Sequence, residues 1–166
     1  GRGGIGSRGT RTREQDFIED IYPATMHNTM LFFTKKGLCY WLKCYEIPEG
    51  NKDSKGRAIQ NMLNIDPDDQ IQSVLRLRGL NDEEFVNNHY VVFCTKSGIV
   101  KKTCLKQYSR PRSNGLIAIN LMEGDSLVDV RLTNGRNELI IASRKGRAVR
   151  FDENDVRPTG RTSMGV

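Results

Sequence analysis

Apolar residues in this chain come in short runs, and three of the runs end the same way. Met30–Trp41 reads M-L-F-F-T-K-K-G-L-C-Y-W, Val91–Lys102 reads V-V-F-C-T-K-S-G-I-V-K-K, and Leu139–Arg150 reads L-I-I-A-S-R-K-G-R-A-V-R. Each is an apolar run, a Thr or Ser, a basic pair or near-pair, a glycine, and a second extended run. The pattern predicts three β-hairpins whose three-residue turns close on Gly37, Gly98 and Gly146. Glycine takes the left-handed backbone at the end of such a turn without a Cβ clash. The strands before the turn, such as 90–95, are apolar at successive positions, which predicts sheets covered on both faces. A second feature follows each hairpin: Lys55-Gly56-Arg57-Ala58-Ile59 ahead of a strand over 71–77, and Asn114-Gly115-Leu116-Ile117-Ala118-Ile119 ahead of one over 127–132. Gly160–Val166 reads as the opening of a third copy. Strands recurring at about 50 residues, without a convincing helical period, predict an all-β propeller-like array of small antiparallel sheets, about three blades. The repeats fall at about 14–77, 78–133 and 134–166, after a Gly/Arg-rich segment over 1–13. An ordinary β-sandwich is the alternative.

Charge changes the picture more than composition does. With 28% charged and 37% hydrophobic residues, the chain has the make-up of a soluble globular protein, and its net charge of +6 favours polyanionic partners. Residues 95–112 carry Lys96, Lys101, Lys102, Lys106, Arg110 and Arg112 and no acid, and residues 144–150 carry Arg144, Lys145, Arg147 and Arg150 and no acid. The acids gather at Asp66/Asp68/Asp69, Asp82/Glu83/Glu84 and Asp152/Glu153/Asp155. If equivalent hairpins occupy equivalent places on each blade, Lys35/Lys36, Lys96 and Arg144/Lys145 lie on one rim. Lys101/Lys102 and Arg147/Arg150 extend it into a curved cationic track.

Other chemistry finds little support. Gly4-x-Gly6-x-x-Gly9 matches a dinucleotide fingerprint by letters, but no strand precedes it and no apolar helical face follows. Neither a phosphate-binding G-K-[ST] nor a G-x-S-x-G nucleophile elbow occurs. Cys39, Cys44, Cys94 and Cys104 form no C-x-x-C pair, so free reduced thiols are expected rather than a zinc site. Asp66-Pro67-Asp68-Asp69 reads as an exposed turn rather than a Mg²⁺ site, and His27 and His89 have no nucleophile partner. Tyr40, Trp41 and Tyr45 read as core packing, not as an exposed platform for stacking bases. The expected binding mode is therefore contact with a duplex backbone.

Taken together, Gly1-Arg2-Gly3-Gly4-Ile5-Gly6, Asp16-Phe17-Ile18-Glu19, Tyr45-Glu46-Ile47-Pro48, Gly56-Arg57-Ala58-Ile59, Lys101-Lys102-Thr103 and Val156-Arg157 resemble the C-terminal domain of the A subunit of bacterial DNA gyrase. The resemblance covers nearly all of the chain. It implies a six-bladed β-pinwheel in which neighbouring blades exchange strands, of which this chain would be about the first half, and double-stranded DNA wrapped around the outer rim. It implies partners in the rest of the gyrase A subunit plus the gyrase B subunit (together an A2B2 complex), a bacterial cytoplasmic setting and no membrane. It also implies a role in an ATP-dependent type IIA topoisomerase whose ATP and Mg²⁺ act elsewhere in the holoenzyme, with no cofactor and no catalytic residue in this chain. Arg2, Gly3, Gly4 and Gly6 match the family's Q-R-R-G-G-K-G box. Ile5 stands where Lys or Arg is usual and Gly1 where Arg is usual, with Arg8, Arg11 and Arg13 as candidate compensating charges. The paralogous C-terminal domain of topoisomerase IV and a protein-binding propeller scaffold are the alternatives.

Overall fold

The computed structural model describes residues 29–43 and 59–166. Among the described residues, nine strands form three sheets. The first hairpin pairs β1 (Thr29–Thr34) with β2 (Leu38–Lys43), and β3 (Ile71–Leu77) lies on the other side of β1. The second pairs β4 (Tyr90–Thr95) with β5 (Val100–Cys104). Between these blades the helix α1 (Glu83–Asn87) starts at Asp82, whose carboxylate accepts the amides of Glu84 and Phe85. After β5 come the two-residue β6 (Leu116–Ile117) and then β7 (Leu127–Thr133), which pairs with β4. The third hairpin pairs β8 (Glu138–Ala142) with β9 (Ala148–Asp152).

The three turns follow one design. Gly37, Gly98 and Gly146 all have positive φ, and their amides donate to the carbonyls of Thr34, Thr95 and Ser143 at 2.9, 3.0 and 3.1 Å. The Thr34 and Thr95 hydroxyls accept the amides of Leu38 and Ile99, which explains why a hydroxyl residue precedes the basic pair. A register shift falls at Phe33/Thr34 in the first blade and at Cys94/Thr95 in the second, so the repeat extends to its irregularities.

Blades exchange strands. The first sheet has the order β3-β1-β2-β6, its outermost strand being supplied by the second repeat. The second blade is completed in the same way: Val100 and Val166 exchange both backbone hydrogen bonds, at 2.7 and 2.9 Å. Gly115 and Gly165 precede these donated residues, and both have positive φ. A Cβ at Gly115 would lie 2.7 Å from the Tyr40 ring, and one at Gly165 would lie 2.7 Å from the Val100 carbonyl. Only glycine fits there against the neighbouring strand.

The core lies between blades, because alternate residues of each strand face opposite neighbours. Leu31 and Phe33 of the first blade meet Val91, Phe93, Leu105 and Tyr108 of the second. Phe33 packs edge-on against Phe93 and Tyr108, with ring centres 5.6 and 6.1 Å away. Val92 and Val100 then meet Leu139, Ile141, Phe151 and Val156 of the third. The free face of the first blade is covered by Ile59, Leu63 and Ile65, packed on Met30, Phe32, Tyr40 and Leu42. Coverage on both faces therefore holds for the first two blades, whereas Ile140 and Val149 of the third are exposed.

Candidate nucleic-acid interface

The basic hairpin tips are fixed by backbone hydrogen bonds. Lys35 donates its amide to the Gln70 carbonyl at 2.8 Å, and Lys96 makes the equivalent bond to Ser126 at 2.8 Å. Leu127, next to Ser126, donates to the Lys35 carbonyl at 2.9 Å. The tips of the first two blades thus share one edge of the array. The third hairpin presents the same face to the second blade that the second presents to the first, since Leu139 and Ile141 take the places of Val91 and Phe93. Its Arg144 and Lys145 therefore project from the corresponding end.

Acids sit directly beneath the tips, which corrects the expectation of a track set apart from them. Asp69 is buried, and its Oδ1 accepts the amides of Lys36 and Gln70 at 3.1 and 2.8 Å. Asp125 does the same for Ser97 and Ser126 at 2.9 and 2.8 Å. Burial raises the affinity of the Asp125 carboxyl for a proton, but hydrogen bonding from Thr95, Ser97 and Ser126 outweighs it and holds the pKa below the usual carboxylate value. The segment from Asp66 to Asp69 is thus only partly the exposed turn expected: Asp66 and Asp68 are exposed, while Asp69 is a turn staple. Asp68 caps the first tip with a 2.6 Å ion pair to Lys36, which raises the lysine pKa.

The expected cations divide into three groups. Lys35, Lys96, Arg110, Arg112, Arg144, Lys145 and Arg147 are exposed and form no ion pair with another described residue. Arg110 and Arg112 lead into β6 on the outer edge of the first sheet. Lys36, Lys106 and Arg150 are exposed but paired, with Asp68, Glu83 and Glu138. Lys101 and Lys102 are only 1% and 2% exposed and do not belong to the rim at all. Lys101 Nζ donates to the carbonyls of Ala118, at 2.7 Å, and Arg161. Lys102 Nζ lies 2.9 Å from Glu153 Oε1 and 4.4 Å from the centre of the Tyr90 ring. Backbone carbonyls, a buried carboxylate and aromatic faces replace the water these amino groups lose. Arg2, Gly3, Gly4, Gly6, Arg8, Arg11 and Arg13 lie outside the described residues.

The sequence reading passed over Arg161 and Glu153. Arg161 Nη1 donates to the Ile117 carbonyl on the edge strand at 2.7 Å. Glu153 is fully buried. Of the cysteines, Cys39 is buried and Cys94 and Cys104 half-buried, all three free. Among the described residues no helix is long and apolar enough to cross a membrane.

A family model described as "DNA gyrase C-terminal domain, beta-propeller" matches residues 28–78, 89–134 and 137–166, one segment for each blade. The chain belongs to the DNA gyrase C-terminal domain family. Similar curated proteins are the DNA gyrase A subunits of Clostridium acetobutylicum, 47% identical over 165 residues, and of Halalkalibacterium halodurans, 48% identical over 165 residues. Each alignment covers 99% of this chain and 19% of the relative, so the chain spans about a fifth of the length of these gyrase subunits. Among solved structures, the C-terminal domain of DNA topoisomerase IV superposes with a TM-score of 0.71 at 38% identity, covering 85% of this chain and 42% of that one. The DNA gyrase A C-terminal domain superposes at 0.67 with 23% identity, covering 85% and 43%, which supports the fold.

Proposed function

We propose that this chain is a DNA-wrapping element of the gyrase A subunit. It binds duplex DNA without sequence preference along its basic tips and supports ATP-dependent negative supercoiling by the complex of gyrase A and B subunits in the bacterial cytoplasm. The observation that carries this reading is the placement of exposed cations without an ion-pair partner among the described residues at equivalent hairpin ends, Lys35, Lys96 and Arg144/Lys145, with Arg110 and Arg112 on the outer edge. Turning about 40 bp of duplex through a half circle costs about 10 kcal/mol by elastic estimate. Contacts repeated from blade to blade can offset that cost, whereas isolated ones cannot. Such contacts hold phosphates and carry no base information. In this reading the Gly/Arg segment adds backbone contacts through Arg2, Gly3, Gly4 and Gly6, and Arg8, Arg11 and Arg13 supply charge. Strand cleavage and ATP hydrolysis, with their Mg²⁺ and ATP, belong to the rest of the complex.

The structural likeness to topoisomerase IV favours a second reading, the equivalent domain of that enzyme. One experiment tests both. The full complex is incubated with relaxed plasmid and ATP, beside a complex in which Lys96, Arg144 and Lys145 are replaced by alanine. Negative supercoils that fail to form with the replaced chain support the gyrase reading. Relaxation and decatenation alone, from the intact complex, would assign the chain to topoisomerase IV.

A further inference from the structure

Adjacent residues on a strand face opposite ways, and β5 uses this to send two lysines to two different blades. Lys101 pairs with Phe93 in register and lies on the face toward the first blade. Its Nζ, 5.4 Å from the centre of the Phe93 ring, donates to the Ala118 carbonyl, which also accepts the Tyr108 hydroxyl at 2.9 Å. The amide of Ala118 donates to Gly37 of the first blade at 2.8 Å. The second acceptor, the Arg161 carbonyl, lies in the segment whose Val166 completes the second blade. Lys101 therefore joins the two consecutive donated segments. Lys102 lies on the opposite face with Val92 and Val100 and reaches Glu153 in the third repeat. Glu153 also accepts the Thr133 hydroxyl and the Asn137 amide, both at 2.8 Å.

The first blade uses the same position. Trp41, four residues after its turn glycine as Lys102 is after Gly98, donates Nε1 to the Tyr108 carbonyl in the turn that follows β5. The corresponding turn after β9 begins with Glu153. The position is thus a joint to the next blade in two successive repeats, aromatic in one and ionic in the other.

We propose that Lys101 and Lys102 are positioning residues that set the angle between successive blades, and through it the curvature of the cationic rim. The role in wrapping rests on the DNA reading above; the role as a joint does not. The test uses the full-length protein in its complex. Lys101→Met, Lys102→Met and the uncharged-joint variant Lys102→Met/Glu153→Gln, whose amide oxygen can still accept the Asn137 amide, are compared with Lys96→Ala, which alters a tip and no joint. Amide exchange reports the joints directly. Lys102→Met speeds exchange at Asn137 and Lys101→Met at Val166, each by tenfold or more, and the double variant restores slow exchange at the third-blade joint.

Two DNA readouts then separate curvature from contact. Affinity for a straight duplex of about 20 bp, far below the persistence length of about 150 bp, stays within twofold of wild type in both lysine variants and falls in Lys96→Ala. The superhelicity constrained on closed plasmid falls in both lysine variants and recovers in the double variant. Unchanged exchange together with a loss of short-duplex affinity equal to that of Lys96→Ala would make these lysines phosphate ligands and overturn the proposal. Unchanged exchange and unchanged superhelicity would overturn it as well. If wild type binds no duplex, the DNA reading fails, and the exchange data still decide the joint. Should Lys102→Met not fold, recovery of folding and slow exchange in the double variant supports the joint, and failure of the double variant refutes it.

Discussion

Replacing Arg144 and Lys145 by alanine removes two of the seven exposed cations expected on the rim that form no ion pair among the described residues: Lys35, Lys96, Arg110, Arg112, Arg144, Lys145 and Arg147. Each neutralised phosphate contributes about −0.9 to the slope of log affinity against log salt. Seven contacts give a slope of about −6, and the double substitution brings it to about −4.5. Asp68→Asn moves the other way. Lys36 is held by Asp68 at 2.6 Å, so releasing it adds one contact and takes the slope to about −7. The assay is fluorescence anisotropy of a labelled duplex of about 20 bp, too short to need bending, titrated at several salt concentrations. Circular dichroism confirms that the exposed substitutions leave the fold intact. A double variant with the wild-type slope, or an Asp68→Asn chain that binds more weakly than wild type, would show that the hairpin tips do not meet the DNA.

Four further outcomes follow from the interior and from the leading segment. Glu153→Gln leaves the Lys102 ammonium buried without its counter-charge and should cost about 3–5 kcal/mol in denaturant unfolding, whereas Lys102→Met/Glu153→Gln, which removes both charges and keeps an acceptor for the Asn137 amide, should cost clearly less. Burial, and then the Arg161 guanidinium, lowers the Lys101 pKa to about 7, while the Tyr108 hydroxyl and the Cys39 thiol beside it are pushed upward by burial and stay protonated. Between about pH 7 and the ordinary lysine value of about 10.4 the unfolded chain holds a proton that the folded chain does not. Stability from this group therefore rises with pH across that window and is lost as pH falls toward 7, and the stability gap between wild type and Lys101→Met widens from pH 7 to pH 10. Gly98→Ala, at φ +88 in open space, should cost about 1–2 kcal/mol, and Gly115→Ala, whose Cβ meets the Tyr40 ring at 2.7 Å, clearly more in thermal unfolding. Ile5→Arg should raise and Arg8→Ala should lower supercoiling by the full complex; no change from either removes the leading segment from the mechanism.

The hairpins were legible in the sequence because their determinants are local. A hydroxyl residue, one or two solvated cations and a glycine define the turn within four positions, and the structure repeats that turn three times. The donated strands were only half legible. Gly115 and Gly165 mark them, but β6 has two residues and its partner lies more than 70 positions away, so no periodicity announces it. The five-residue α1 hides for a similar reason: at fewer than two turns it shows no apolar stripe, and its acids read as surface charge. Lys101 and Lys102 were misplaced because a lysine in a one-dimensional reading counts as solvated. The corrective signal was present in the aligned repeats, where Tyr40 and Trp41 occupy the same two positions. Asp69 and Asp125 carry a comparable signal, each standing two residues before an apolar residue that opens a strand, Ile71 and Leu127.

A chain of similar repeats needs a way to keep them in order, because equivalent blades present equivalent faces. In a stacked array, stability is close to a sum of repeat and neighbour-interface terms, so a misordered stack is disfavoured only if its interfaces differ. The two described joints do differ. At the first, Trp41 meets a turn containing the buried Leu105 and donates its indole N–H to the Tyr108 carbonyl. At the second, Lys102 meets Glu153 at the position equivalent to Leu105. Interchanging the partners would bury an ammonium against Leu105 and a carboxylate against Trp41, each without its counter-charge, at a cost of several kcal/mol for each ion. The buried pair thus adds specificity where a second apolar joint would add none, in the manner of a single polar residue that fixes the register of a coiled coil. Blade order in turn fixes tip order: the acid-capped Lys36 belongs to the first hairpin, and Lys96 and Arg144/Lys145, without an ion-pair partner among the described residues, to the second and third. The order of the tips is therefore written in the interior, by the same strand whose lysines the sequence assigned to the surface.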